Sequence, residues 1–535
     1  MSLELERLPL RGSRLCNAYL EEFESVAALY RTGPPETLAS YRETAKVIRS
    51  EGSADRWRAL EELASSLSTD GAARLGRVVE GRGLFVATGQ QAGLFVSPLY
   101  VLYKALTAAR LADDLERRLE VPVMPLFSVA SEDHDWQEVN HTHLLDLENR
   151  LIRLQLKVDE LEDEDAPSPS IERIRLNNEV RAAFTELEHN VPDTEFKETT
   201  LTPLRAAYRP GRPFAEAFQE ALSRLLRKYG FAVVRTAAPY LKRRTRELLW
   251  SEWRQREESE RRLLKRTEAL IQNGFEPQVP VVAGATNLFL EGRLGRDRVL
   301  AEGGKARLRR SNEIFDEGEL KRIIENAPGR VSPGALLRPV TEAHAFPVVA
   351  YVGGPSEIAY LAQSRVLFEL HGVPAPVVVP RASFRLIESK VAKVLEKYGI
   401  APDRLTGDAG AAIRRLLEEQ APQSLQDALA ELRETVATAI ERVELAALDF
   451  DPGSRSAVGS GKKAVFDAIT ELEGKLRARV REKHAVMEGQ LEKAAVNLYP
   501  DGRPQERVLN PYMYLVRYGE SLLDRVYDAA AIPLE

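Results

Sequence analysis

Two apolar runs, at 84–88 and 121–130, flank one glycine-bearing turn and one helix-length segment, and this spacing constrains the fold more than any other feature of the chain. Leu84-Phe85-Val86-Ala87-Thr88 shows no polar alternation before its last residue. A strand of that kind is covered on both faces, as strands of parallel sheets are. Gly89-Gln90-Gln91-Ala92-Gly93 follows, then a helical stretch from Pro98 to about 119, with Pro98 where a first helical turn tolerates a missing N–H. Strand, turn, helix and strand make a βαβ unit. The rhythm returns with a helix over 213–229, a strand over 231–235 and a long charged helix over 239–272. It closes with a strand over 347–352, Gly353-Gly354-Pro355, a helix to 371 and a strand over 377–379. An α/β protein with a parallel sheet is expected.

Other stretches depart from this rhythm. Residues 13–80 read as helices punctuated by Gly33-Pro34-Pro35. Around 150–212 the chain turns polar, with an acidic run at 159–165, and reads as an insertion with a mobile, solvated stretch. A second insertion near 275–330 holds a small antiparallel excursion over 286–310. In the C-terminal third, Leu425, Leu429, Leu432, Val436, Ile440 and Val443 recur every three or four residues, as do Ile469, Leu472, Leu476, Val480, Met487, Leu491, Ala494 and Leu498. Asp451-Pro452-Gly453-Ser454 separates the two sets, which predicts two helices folded back as an antiparallel coiled coil. A second helix over 455–498 would be roughly 65 Å long, and burying its stripe calls for its neighbour and a second copy of the chain. The expected divisions are a helical segment at 1–80, a sheet core at 81–385, a coiled-coil domain at 386–500 and a returning segment at 501–535.

With 535 residues, more than one substructure is expected. Lys plus Arg number 75 against 81 for Asp plus Glu, so charge gives no reason to expect nucleic acid or an anionic membrane as partner. Cys16 is the one cysteine, which excludes an intrachain disulfide and a thiolate metal cluster. Residues 1–10 lack the apolar stretch of a signal peptide, and no run of about 20 apolar residues occurs, so a cytoplasmic location is expected.

Three constellations carry chemistry. Thr88, Gly89, Gln90, Gln91 and Gly93 stand at a strand's carboxyl end, where glycine lets backbone approach a ligand and a helix N-terminus attracts an anion. A plain strand–helix turn would use the same glycines. Glu132, Asp133, His134 and Asp135 follow the next strand, with Asn140, His141 and His143 beyond. Carboxylates beside a histidine suit acid/base work, amine binding or a metal, though a solvated acidic loop has the same composition. Tyr351, Gly353, Gly354, Ser356 and Glu357 repeat the first geometry, and both glycine turns would face one crevice where the strand order reverses. Glu357 would bind a ligand or simply complement the helix dipole. Tyr360 and Gln363 lie one to two turns further along that helix, behind the site or in the core. Gly459-Ser460-Gly461-Lys462-Lys463 is not a phosphate loop, because Ser456 replaces its first glycine, Lys463 its Ser or Thr, and no strand precedes it.

These segments in this order resemble the bacillithiol biosynthesis cysteine-adding enzyme family, BshC. The resemblance rests on Gly89-Gln90-Gln91-Ala92-Gly93-Leu94 with Pro98-Leu99-Tyr100, and on Glu132-Asp133-His134-Asp135 with Glu138 and Asn140. Asn287-Leu288-Phe289, Arg338-Pro339, Gly354-Pro355 with Glu357-Ile358, Pro380-Arg381, Gln505-Glu506-Arg507 and Arg517-Tyr518-Gly519 extend it over about 80–525. Ser97, Ser131 and Ser356 stand where the family usually has glycine. The resemblance implies a Rossmann-type core with inserted segments, a coiled coil supporting a homodimer, and a ligase joining the cysteine carboxylate to the amine of glucosaminyl-malate.

Amide formation needs an activated carboxylate, so ATP or another nucleotide is the expected cosubstrate, through a cysteinyl-adenylate or acyl-phosphate. No metal is expected. Glu132, Asp133 and Asp135 would bind the amine and His134 take its proton, the glycine turns and glutamines hold phosphates or sugar, and Arg338 or Arg381 pair with malate. A rival reading is a metal-dependent hydrolase or transferase using His134, His141 and His143. Another is a nucleotide-binding dimeric scaffold.

Overall fold

The computed structural model describes residues 3–158, 168–419 and 422–535. They divide into two compact units, one of 5–385 with 506–535, the other of 386–505 with residues up to 4.

The larger unit is built on five parallel strands: β1 (Leu84–Gln90), β2 (Val123–Val129), β3 (Ala232–Arg235), β4 (Val348–Gly353) and β5 (Val377–Pro380). Their spatial order is β5-β4-β1-β2-β3. The chain builds outward from β1 through β2 and β3, then returns to the other side of β1. Strand order therefore reverses between β1 and β4, as in a Rossmann-type sheet, where ligands settle outside the carboxyl ends of the strands. Leu84 through Gly89 and all of β2 are buried, which accounts for the missing polar alternation.

Helix α1 (Tyr100–Leu119) connects β1 to β2 and buries Leu102, Leu106 and Leu115 among others. The charged stretch expected as one helix over 239–272 is two, α2 (Pro239–Arg254) and α3 (Arg256–Gln272), broken at Gln255. Beside the break, buried Glu252 accepts hydrogen bonds from Ser259 and Asn287, both at 2.8 Å, and lies 2.7 Å from His371. A fully buried carboxylate requires such partners. Two further helices, α4 (Arg338–Ala345) and α5 (Pro355–Leu370), flank β4 in sequence.

The first insertion is more ordered than its polar composition predicts. A hairpin pairs His141–Leu145 with Leu151–Gln155, and helices Glu179–Asn190 and Lys197–Ala207 bury Phe184, Leu187, Leu201 and Leu204. The acidic run at 159–165 lies outside the described residues. The antiparallel excursion is present as Ala285–Gly292, Gly295–Glu302 and Lys305–Leu308, widened to five strands by Ile314–Phe315 and Val331–Pro333. The N-terminal region adds an unexpected strand, Leu3–Leu8, ahead of its helices.

The smaller unit is helical. Its core joins Val391, Leu395, Ile413, Leu417, Leu491 and Leu498. Helices α6 (Gln423–Phe450) and α7 (Arg455–Lys483) form the antiparallel pair, and α8 (Ala485–Leu498) follows a break at His484. The single long helix expected over 455–498 is thus divided, and α7, with 29 residues, spans roughly 44 Å. The stripe is buried at Ile469, Met487, Leu491 and Ala494 but open at Leu432, Val443 and Leu472.

Candidate active site

At the reversal point the sheet opens into a crevice of about 300 Å³. Gln90 and Gln91 from the end of β1, Asp133 from the loop after β2, and Gly354, Ser356 and Glu357 from the start of α5 line it. Arg338 and Arg381 contribute from α4 and from the end of β5, and Tyr351 from β4.

Asp133 is held by three partners. Its Oδ1 accepts the backbone N–H of His134 at 2.8 Å, its Oδ2 accepts from Gln91 Nε2 at 3.1 Å, and Arg338 lies 3.7 Å away. Burial alone would raise its pKa, but the His134 hydrogen bond and the Arg338 and Arg296 cations hold it well below the ordinary carboxylate range. Gln91 also donates to Glu138 at 2.9 Å.

Its neighbours face elsewhere. Glu132 is buried in an ion pair with Lys242 of α2 and lines a second cavity with Glu172 and Arg330. The His134 ring sits 3.1 Å from the Arg296 guanidinium, whose cation stacks 3.9 Å over Phe289. Burial lowers Arg296 to about 10. Asp135 points to solvent, and Asn140 is fully buried beside Gln137 and His141. The expectation that Glu132, Asp133, His134 and Asp135 open on one cleft therefore holds for Asp133 alone. Successive residues in an irregular turn project in different directions, so adjacency in sequence does not gather them.

The glycine turns need a similar correction. Thr88 is buried and donates to Val352 O at 2.8 Å, a bond between strands. Gly89 lies within β1, where a Cβ would come 2.7 Å from Ser128 O, and Gly93 is required because a Cβ there would meet Ser97 O at 2.2 Å. Gly93 and Gly353 do not line the crevice, whereas Gly354 does. Of the three serines in place of family glycines, only Ser356 lines it; Ser131 is buried and accepts from Ala237 N–H. Arg381 reaches the wall with both terminal nitrogens engaged by buried Glu506, at 2.9 and 2.5 Å.

Sequence reasoning missed Lys104, Glu342, Tyr100 and Arg507, and placed Tyr360 behind the site; all five line the crevice. Lys104 donates to Gly89 O at 2.7 Å and Gln90 Oε1 at 3.0 Å. The signal available was a lysine inside the apolar stretch Val101-Leu102-Tyr103-Lys104-Ala105-Leu106. Arg507 stands exposed at the rim and has no salt bridge among the described residues. His141 and His143 stack edge-on with ring centres 5.3 Å apart, and no group of three His, Cys, Asp or Glu among the described residues is arranged to hold a metal. His134 does not join them.

A five-stranded parallel sheet with a charged crevice at the point where its strand order reverses defines an α/β protein of the Rossmann-like class. Residues 1–382 match the family model described as "Bacillithiol biosynthesis BshC, N-terminal Rossmann-like domain", and residues 384–533 match "Bacillithiol biosynthesis BshC, C-terminal coiled-coil domain". The chain belongs to the BshC family. It is 33% identical over 450 residues to a Salinibacter ruber protein named "Putative cysteine ligase BshC", covering 83% of this chain and 80% of that one. A relative of the same name from Symbiobacterium thermophilum is 30% identical over 554 residues, covering 100% of this chain and 98% of its own. One from Chlorobaculum tepidum is 30% identical over 475 residues, covering 85% and 83%. No helix among the described residues is long and apolar enough to cross a membrane.

Proposed function

We propose that the chain is a ligase that joins the carboxyl group of cysteine to the amine of glucosaminyl-malate, with a nucleoside triphosphate activating the carboxyl. The observation that carries this reading is the Asp133–Arg338 pair in the wall of a crevice otherwise rich in cations. Asp133, ionised and fixed by Gln91 and His134, suits an ammonium group. Arg338 and the rim cation Arg507 suit the carboxylates of malate or the phosphates of a nucleotide. At the start of α5 the Gly354 N–H is taken by Glu357, which leaves the Ser356 hydroxyl as the group of that turn that a ligand would meet. Arg381, already held by Glu506, would act on ligands through charge and by shaping the wall.

The proposal includes a homodimer. Leu432 of α6 and Leu472 of α7 keep 37% and 44% of their surface exposed, and a second copy would cover this stripe.

The test is direct. Purified protein incubated with cysteine, glucosaminyl-malate and ATP should yield a product whose mass is the sum of cysteine and glucosaminyl-malate less one water. Failure to form it with any nucleoside triphosphate sinks the reading.

A further inference from the structure

Behind the crevice wall lies a cavity of about 20 Å³, bounded by Ser128, Thr236, Lys242, Arg338, Glu342 and Glu132. Three buried polar atoms of this set, Ser128 Oγ, Thr236 Oγ1 and Glu342 Oε1, have no hydrogen-bond partner in the protein. A space of this size accommodates one water, and one water would satisfy all three. The cavity shares Ser128, Arg338 and Glu342 with the crevice, and Glu132 with the second, larger cavity on its far side. Glu132 and Lys242 thus line the same small cavity as Glu342, on the side away from the crevice lining that Glu342 shares.

We propose that Glu342 is the proton acceptor of the reaction, passing the proton through this one-water cavity toward Glu132 and Lys242. The inference rests on the ligase reading above. In the step concerned, an N–H proton of the substrate ammonium moves to the Glu342 carboxylate. The freed nitrogen lone pair forms the new C–N bond at the activated cysteine carboxyl carbon, the C–O bond to the phosphate or nucleotide leaving group breaks with its electron pair, and the second surplus N–H proton departs with that oxyanion, leaving the neutral amide.

Geometry favours Glu342 over the two candidates nearest Asp133. Asp133 is saturated by cations and hydrogen bonds, so its carboxylate holds an ammonium well and accepts a proton poorly. The His134 ring lies against the Arg296 guanidinium, 3.1 Å from it, and does not line the crevice, so a substrate held there does not meet it. Glu342 lines the crevice, is 8% exposed and makes no salt bridge among the described residues. Around it stand Lys104 of α1, Lys242 of α2, Arg338 of its own helix, Tyr351 of β4 and Glu357 and Tyr360 of α5, with Glu132 across the small cavity. Burial, opposed first by the neighbouring Ser128 hydroxyl and then by Arg338 and Lys104 and helped by Glu357, lifts Glu342 to about 8. A base is most effective when it titrates near the working pH.

The experiment compares wild type with Glu342→Gln and Thr236→Val in product formation across pH 6 to 10. Wild-type kcat/KM should rise through about pH 8, where the Glu342 carboxyl of the free protein loses its proton. Glu342→Gln should lower kcat roughly 10²–10⁴-fold with KM little changed and abolish that rise. Glu342→Asp should restore part of the rate, and Thr236→Val should slow turnover about five-fold by removing one partner of the buried water. An active wild type with Glu342→Gln equally fast and with the same pH profile overturns this proposal alone. A wild type that forms no product overturns the ligase reading and this inference together. Thr236→Val at full speed overturns the exit route.

Discussion

Lys104 Nζ lies 2.6 Å from Glu357 Oε2, so that a lysine of the first helix after β1 meets a glutamate of the helix after β4 across the point where strand order reverses. The lysine also binds the carbonyl of Gly89, and the glutamate accepts the N–H of Gly354 at 2.7 Å and the Tyr351 hydroxyl at 3.2 Å. One buried ion pair thereby positions both strand ends that border the crevice. Burial draws the Lys104 pKa down while Glu357 pulls it back up. Removing one partner of such a pair strands the other.

Lys104→Met should therefore destabilise the protein by about 3–5 kcal/mol, and the double variant Lys104→Met/Glu357→Gln should recover most of the loss. Urea unfolding of the wild type and the two variants measures this. A single-variant loss below about 1 kcal/mol would contradict the pair's role as the tie across the crevice.

Asp133→Asn should lower kcat/KM by roughly 10–150-fold, the value of about 1.5–3 kcal/mol for a hydrogen-bonded charge. It should also change the acid limb of stability. Because the folded-state pKa is depressed, the ionised carboxylate stabilises the fold above pH about 4, and that contribution disappears as pH falls toward the lowered value. Acid unfolding of Asp133→Asn should be flatter below pH about 4 than that of the wild type, as followed by circular dichroism.

His141 gives a second pH signature, of a different range. Burial, then Arg153 and His143, lower it to about 4 in the folded protein, against an ordinary value near 6.5. Between those limits the unfolded chain binds a proton that the folded chain refuses, so stability declines as pH drops from about 6.5 to 4 and the penalty is complete below. His141→Asn should reduce that slope, and thermal unfolding at half-unit pH intervals would show it; an unchanged slope refutes the assignment.

Gly93→Ala and Gly354→Ala separate a structural glycine from a crevice glycine. A Cβ at 93 would stand 2.2 Å from a backbone carbonyl that cannot easily move, whereas at 354 the nearest atom is Glu357 Oε2 at 3.4 Å. Gly93→Ala should cost about 1–3 kcal/mol, and Gly354→Ala less than about 1 kcal/mol. Only the latter, as a residue lining the crevice, should weaken nucleotide binding in a folded protein, which calorimetry would report.

The parallel sheet was legible because its strands carry no polar alternation, and the coiled-coil pair because its apolar spacing is long and regular. Helix breaks at Gln255 and His484 were not, since neither is marked by proline or glycine and each leaves the local spacing intact. Asp133, Gln90, Gln91, Gly354 and Glu357 were found from their place after strands. Lys104, Glu342 and Arg507 were invisible to that rule, because helices α1 and α4 and the chain near 507 deliver them from distant parts of the sequence. Lys104 shares a helix face with Tyr100, and Glu342 with Arg338, four residues apart in each case, but only the fold shows that both faces turn toward one crevice.

Local composition thus determined which segments become buried strands, where the chain bends after them, and which short motifs sit at those bends. The tertiary structure decided which way each bend's side chains project. Glu132 turns toward Lys242 and Asp133 toward Arg338, although one peptide bond separates them. The physical reason is that a buried carboxylate settles where a cation and hydrogen-bond donors await it, and those partners arrive from α2 and α4, more than a hundred residues along the chain.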